Sequence, residues 1–377
     1  TQDKLDEQRG VVQNEKRQGE AQPYGKAWSY IAEQTFPEGH PYSWSVIGSM
    51  EDLNAASLDD VHQWFEDYYG AANAVLVLAG DIDVETAKEK VTKYFADIGP
   101  GKPLQKQEAW VAKRDEQKRS TMEDRVPAPR VYKVWNTAQM GTADSEYLNL
   151  LADILANGKN SRLYERLVYN EQIASSVGAF QYGRKLSGQF FITADAKPGV
   201  ELEQIETIID EELERLITEG PTAAELQRTK FSTTADFVRR AEKVGGFGGK
   251  SDLLASGAVY HNDPGFYEKE MKWTKEASVN NLQNAAEKWL SDGDFVLNVV
   301  PQPDYAAQET DADRSQLPHV GDLPQLELPE VKTFTLSNGL EVYLAQRSDT
   351  PTVEMSLVFD SGYASDVGGK LGTASYT

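Results

Sequence analysis

Glu15 is the carboxylate whose setting in the sequence raises a chemical question. At 100° per residue it projects between Val11 and Val12, on the less polar face of a helix-prone stretch from Leu5 to Gly19. Gln8 points the same way. A carboxylate on a core-facing arc needs a cation, a metal or hydrogen-bond donors to offset its desolvation. On spacing alone the commoner reading is still a solvated or salt-bridged helix glutamate.

The histidines add no second ligand. His62 and Glu66 lie one helical turn apart, but no other histidine is near them, and His62 is only adjacent to an apolar stripe. His40 falls in a Gly-His-Pro turn, and His261 and His319 in polar loops. No pair of histidines with a carboxylate can be assembled locally into a zinc site. Glycines 245, 246, 248 and 249 precede Lys250 and Ser251, yet a phosphate loop needs glycine where Val244 stands and a strand running into it. A hinge or helix-entry loop is the expected structure there. Neither a Gly-x-Ser-x-Gly elbow nor a dinucleotide fingerprint occurs.

Composition narrows the function further. A chain of 377 residues can bury two or three cores, and 40% hydrophobic with 26% charged residues is the balance of a globular protein. No apolar run approaches the roughly 18 residues of a membrane span. Sixty acidic against 38 basic side chains give a net charge of -22, which disfavours binding to a phosphate backbone. The lack of any cysteine removes thiol nucleophiles and Cys-ligated zinc, and fits an exported, periplasmic protein somewhat better than a cytoplasmic one.

The elements that must carry Glu15 follow from periodicity. After the first helix comes the loop EAQPYG, a helix over Lys26 to Gln34, and loop signals in FPEGHPYSW. Ser57 reads as an N-cap with Asp60 three residues on, and Leu58, Val61, Phe65 and Tyr68 recur at helical spacing until Gly70. Ala74 to Leu78, AVLVL, has the length and composition of a buried strand, and an amphipathic helix through Ala87, Val91, Phe95 and Ile98 follows it.

An internal repeat organises the chain. Ser57 to Asp83 aligns without gaps on Ser278 to Asp304, with identities at Ser57 and Ser278, Glu66 and Glu287, Val75 and Val296, Leu76 and Leu297, and Asp83 and Asp304. Helix followed by buried strand thus occurs twice, which predicts two homologous α+β domains, 1–101 and 104–300, with a strand at Arg130 to Trp135. Their apolar runs should lie in two separate sheets. Residues 301–330 form an acidic, proline-rich hinge linker. Beyond it, TFTLSNGLEVYLAQ predicts a hairpin turning at Asn338 and Gly339, with SLVFDSG as a further strand. This would be the start of a third domain, 331–377, cut off before its end.

The stretches VVQNEKRQGEAQPYGKAW, GHPYSWSVIGSMEDL, YYGAANAVLVLAGD and TLSNGLEVYLAQRSDTPTVEMSLVFDSG resemble the pitrilysin (insulinase) family of inverted-motif zinc peptidases. The resemblance covers nearly the whole chain. It implies tandem α/β-sandwich domains, each a mostly antiparallel sheet packed by helices. It also implies Zn2+ held by a His-x-x-Glu-His helix and a later glutamate, the motif's own Glu acting on the zinc-bound water. The later glutamate corresponds to Glu15, and Gln8 would be a supporting neighbour of the metal site. No His-x-x-Glu-His is present, and the family spacing places it upstream of Thr1. The catalytic residues are therefore expected outside this chain.

In this family the substrate-anchoring Arg and Tyr lie in the half opposite the zinc, and the corresponding positions here are Val168 and Ser175. LANGKNSRL also lacks the glycine-rich loop of a noncatalytic processing-peptidase subunit. The resemblance thus implies a fragment of a zinc endopeptidase that hydrolyses peptides or small unfolded proteins in a two-half chamber. Its partners would be peptide substrates, the missing N-terminal segment and the second half of the same protein. The alternative is a catalytically inactive homologue serving as scaffold or partner subunit.

Overall fold

The structure, a computed structural model, describes residues 1–302, 330–346, 355–366, 369–370 and 374. Residues 1–305 gather into one compact unit and residues 306–377 into another. Most of the expected linker, with His319, lies outside the described residues.

The first unit opens with five helices, α1 (Gln2–Ala21), α2 (Ala27–Thr35), α3 (Met50–Ala55), α4 (Leu58–Tyr68) and α5 (Val84–Phe95). Then come β1 (Lys118–Asp124), β2 (Arg130–Thr137), α6 (Ala143–Ala156), a π-helical segment Tyr164–Asn170, β3 (Ala174–Gly183) and β4 (Gly188–Ala196). Helices α7 (Leu202–Glu219), α8 (Ala223–Glu242), α9 (Lys250–His261), α10 (Tyr267–Glu276) and α11 (Val279–Leu290) lead to β5 (Phe295–Pro301). The sheet order is β1-β5-β2-β4-β3, with only the β1–β5 pair parallel. The internal repeat predicted an α+β fold, and the family resemblance implied a mostly antiparallel sheet packed by helices; the structure has both.

Both faces of this sheet are covered, which is why its strands read as continuous apolar runs. On β2, Val131 and Trp135 face the cluster formed with α6, α7 and α11, while Tyr132 and Val134 face Ala27 and Ile31 of α2. Complete burial of a side chain such as Ile31 contributes roughly 1.5–3 kcal/mol. Lys133, between them, is 2% exposed and ends on Asp294 at 2.8 Å and Asp210 at 2.9 Å. Burial alone would lower its pKa, but the two carboxylates outweigh burial and raise it.

The repeat is visible in the helices. Ser57 caps α4 and Ser278 caps α11, each in a reciprocal capping box, with Asp60 and Asn281 in the matching place. Their apolar faces fare differently. Ala285, Ala286, Trp289 and Leu290 of α11 are buried, whereas the aligned Trp64, Phe65, Tyr68 and Tyr69 are 58%, 52%, 42% and 66% exposed. The expected strand at Ala74 to Leu78 is not one. It pairs with nothing among the described residues, and its Val75, Leu76 and Leu78 are exposed, because an apolar run becomes a strand only where a neighbour takes its backbone hydrogen bonds. Its counterpart, by contrast, is β5, held between β1 and β2.

In the second unit, β6 (Val331–Thr335) and β7 (Glu341–Ala345) make the predicted hairpin. Gly339 sits at φ 88°, a conformation that favours glycine, and Leu336 N donates to Leu340 O at 2.9 Å. Ser356 to Phe359, expected as a strand, is unpaired among the described residues for the same reason as Ala74 to Leu78.

Candidate functional site

Helix α1, which carries Glu15, is fixed at both ends. Near its start the Arg9 guanidinium donates to the carbonyls of Asn54 and Ala56 at 3.0 and 2.9 Å, tying it to the α3–α4 connection. At its end Tyr24 takes a positive φ of 62°, its amide donates to Asp124 Oδ2 at 3.2 Å and its hydroxyl to Ala128 O at 2.8 Å. The Arg130 guanidinium covers the Tyr24 ring at 3.7 Å. Gly25 permits this turn, since a Cβ there would lie 2.0 Å from Gly19 O.

The loop after α2 is tied by His40. Its ring is fully buried, stacked on Phe36 at 4.4 Å, and its Nδ1 accepts from Tyr42 N at 2.9 Å. The proton is therefore on Nε2, which donates to Trp110 O at 2.8 Å. Tyr42 Oη in turn accepts from Leu186 N at 3.1 Å, so the loop is bound to the β3–β4 hairpin. Between α1, α2, this loop and the hairpin lies a cavity of about 370 Å³ whose walls include Glu15, Glu20, Trp28, Trp44, Tyr182 and Arg184. Glu20 is paired with Lys16 at 2.7 Å.

Glu15 opens onto this cavity, but it is exposed, and α1 buries no residue. The expectation of a desolvated, core-facing carboxylate is corrected: Val11 is 54% exposed, so no core forms on that face. Gln8 is likewise exposed and its side chain makes no hydrogen bond among the described residues. His62 is exposed on α4, and His261 stacks on Phe266 at 3.7 Å, with burial lowering its pKa. Among the described residues no group of three His, Asp or Glu could hold a metal ion. The residues present thus do not make a zinc site by themselves.

Other positions fall where packing explains them. Val168 packs on the main core, and Ser175 sits at a bulge of β3 with its hydroxyl on Asp195 O at 3.3 Å. The glycine-rich stretch is the α8–α9 connection, Gly249 capping α9, with no strand entering it. A larger cavity, about 770 Å³, lies between α6, α8 and β3 and holds Glu146, Asp236 and Arg240. Burial and the nearby Glu270 push the Glu146 carboxyl up to about 7. Sequence reasoning missed Arg184 and Tyr182. Nothing in GRKLSG marks a cavity wall, although Trp28 and Trp44 in a polar context were a usable signal.

A mostly antiparallel sheet covered by helices on both faces defines an α+β domain. Residues 55–233 match the family described as the peptidase M16 inactive domain. The zinc protease PqqE of Helicobacter pylori is 26% identical over 258 residues, 67% of this chain and 57% of that protein. A crystal structure of a protease from Helicobacter pylori matches with a TM-score of 0.71 at 23% identity, over 80% of this chain and 73% of its own. A peptidase M16 inactive domain from Pseudomonas fluorescens matches with a TM-score of 0.68 at 18% identity, over 80% and 72%. The chain spans 57% and 60% of the length of the two curated relatives it matches. Among the described residues no helix is long and apolar enough to cross a membrane.

Proposed function

We propose that this chain is part of a zinc endopeptidase acting on peptides or small unfolded proteins, and that it contributes Glu15 to a metal site whose other ligands lie outside it. The observation that carries this reading is the position of Glu15. The residue singled out by the motif resemblance opens onto a cavity walled by aromatic side chains, while no complete metal cluster accompanies it among the described residues. Zinc would supply an activated water in the whole protein. Residues 1–101 and 104–300 would be homologous domains of one half, the first completed by a further segment covering α4 and α5. Gln8 would support the metal ligand from one face-turn away.

A second reading is favoured by one finding, that the matching family is described as an inactive domain. On it the protein is a scaffold or partner subunit. The two readings part in a peptide-cleavage assay. The chain alone should leave a peptide mixture intact with or without zinc, and a longer parent should cleave it in a chelator-sensitive way. Zinc-dependent cleavage by the chain alone overturns the first reading, and an inert, complete parent establishes the second.

A further inference from the structure

Arg184 stands apart from the other partly buried arginines of the first unit. Arg119, Arg130, Arg162 and Arg166 each face a carboxylate, and Arg114 uses its guanidinium on the carbonyls of Thr35, Val134 and Gly293. Arg184 has no ion pair among the described residues. Its guanidinium stacks on Tyr42 at 3.9 Å and lies 4.9 Å from the Tyr182 ring. Nη2 donates to Gln189 Oε1 at 2.8 Å. Nε is fully buried without a partner, and no hydrogen bond of Nη1 is formed among the described residues.

A half-buried guanidinium without a counter-ion among the described residues is suited to receive an anion. A packing strut between Tyr42 and the hairpin would account for the stacking. It would leave the unfilled donors of a desolvated guanidinium unexplained. The cavity says which anion suits. Trp28, Trp44 and Tyr182 offer flat apolar walls, and unpaired Glu15 would repel a carboxylate brought close to it. A guest would therefore lie with its carboxylate at Arg184 and its apolar part along the aromatic rings.

We propose that Arg184 is the carboxylate receptor of a subsite that takes an acidic side chain or the C-terminal carboxylate of a peptide lying in this cavity. The substrate class so defined is a peptide with an aromatic or aliphatic residue next to a carboxylate. The inference rests on the reading of this protein as a peptide-processing one, but its test needs neither zinc nor turnover.

The test is calorimetric titration of the whole 377-residue chain with acetyl-Ala-Phe-Glu-amide, acetyl-Ala-Phe with a free C-terminus, and acetyl-Ala-Phe-Gln-amide. At least one of the two acidic peptides should bind about tenfold or more tightly than the neutral one, and which of them does so identifies the carboxylate source. Arg184→Gln should abolish the preference and Arg184→Lys should keep part of it, both with circular dichroism melts close to the parent chain. If Arg184→Gln does not fold, Arg184→Lys carries the test: the preference should fall but not vanish, and an unchanged preference overturns the proposal. Equal binding of all three peptides, binding of none, or a preference that survives Arg184→Gln overturns the proposal. Such a failure leaves the peptidase reading standing. An inert parent whose chain still prefers the acidic peptide would remove the peptidase reading and keep this site.

Discussion

Arg162 and Glu225 form a two-pronged pair, Nε to Oε1 at 2.8 Å and Nη2 to Oε2 at 2.9 Å, that clasps the segment after α6 to the first turn of α8. The same Glu225 completes the capping box of Thr222, and Arg162 Nη2 also reaches Gly220 O. Burial by itself would raise the Glu225 carboxyl, but Arg162 and the Thr222 backbone amide outweigh it and hold it down at about 2.

A depressed folded-state pKa contributes stability that is present above the unfolded value and lost as pH falls through the folded one. Acid unfolding should therefore show a loss between about pH 4.5 and 2, on the order of 3 kcal/mol, from this group. Arg162→Met should remove that component and cost about 3–5 kcal/mol at pH 7 by leaving a carboxylate unpaired. Denaturant titrations of both proteins across this pH range would show it. An unchanged acid limb in the variant would contradict the assignment.

Glu146 has the opposite sign. Its folded-state value of about 7 lies above the unfolded 4.5, so the folded state binds the extra proton and stability falls as pH rises between those values. Glu146→Gln should leave stability alone at pH 4 and raise it by on the order of 1–2 kcal/mol at pH 8, after allowance for partial exposure. Thermal melts at the two pH values measure this. A variant less stable at pH 8 would mean that the carboxylate has a partner in solution.

The two capping serines should separate in their effects. Ser278→Ala removes a cap worth about 1 kcal/mol from a helix welded into the core, and the whole loss should appear in global unfolding. Ser57→Ala removes the same cap from α4, whose apolar face is exposed, so the loss should appear as faster amide exchange within α4 alone. Equal global destabilisation by both would show that α4 is cooperatively packed.

The face around Trp64, Tyr68, Leu76, Phe95 and Ile98 lines a cavity of about 690 Å³ and is predominantly apolar. A surface of this kind should bind a hydrophobic dye and drive self-association of the chain. Phe65→Lys with Phe95→Lys should reduce both while leaving the melting temperature within about 2 °C, because neither side chain is buried. Absence of dye binding by the unmodified chain would count against an open face.

How far the sequence spoke depended on whether an element's partners were local. Ser57 and Ser278 declared their helices because a capping box is satisfied within a few residues, and Asn338 with Gly339 declared the β6–β7 turn for the same reason. Ala74 to Leu78 and Phe295 to Pro301 look alike in sequence, yet only the second finds neighbouring strands, and pairing is a non-local property. Glu15 was placed on a helix correctly, while its burial was not legible, since burial depends on what covers α1. Arg184 was invisible because its surroundings, Tyr42 and Gln189, come from distant segments.

Whether Glu15 belongs to a metal site is tested most directly by the zinc content of the longer parent protein. Glu15→Gln keeps the shape of the side chain and removes an anionic donor. If Glu15 ligates the metal, the variant should fold while its zinc occupancy and peptide cleavage fall by orders of magnitude. Full zinc occupancy with full activity in that variant, at a stability cost under about 0.5 kcal/mol, would make Glu15 an ordinary solvated helix residue and contradict the account.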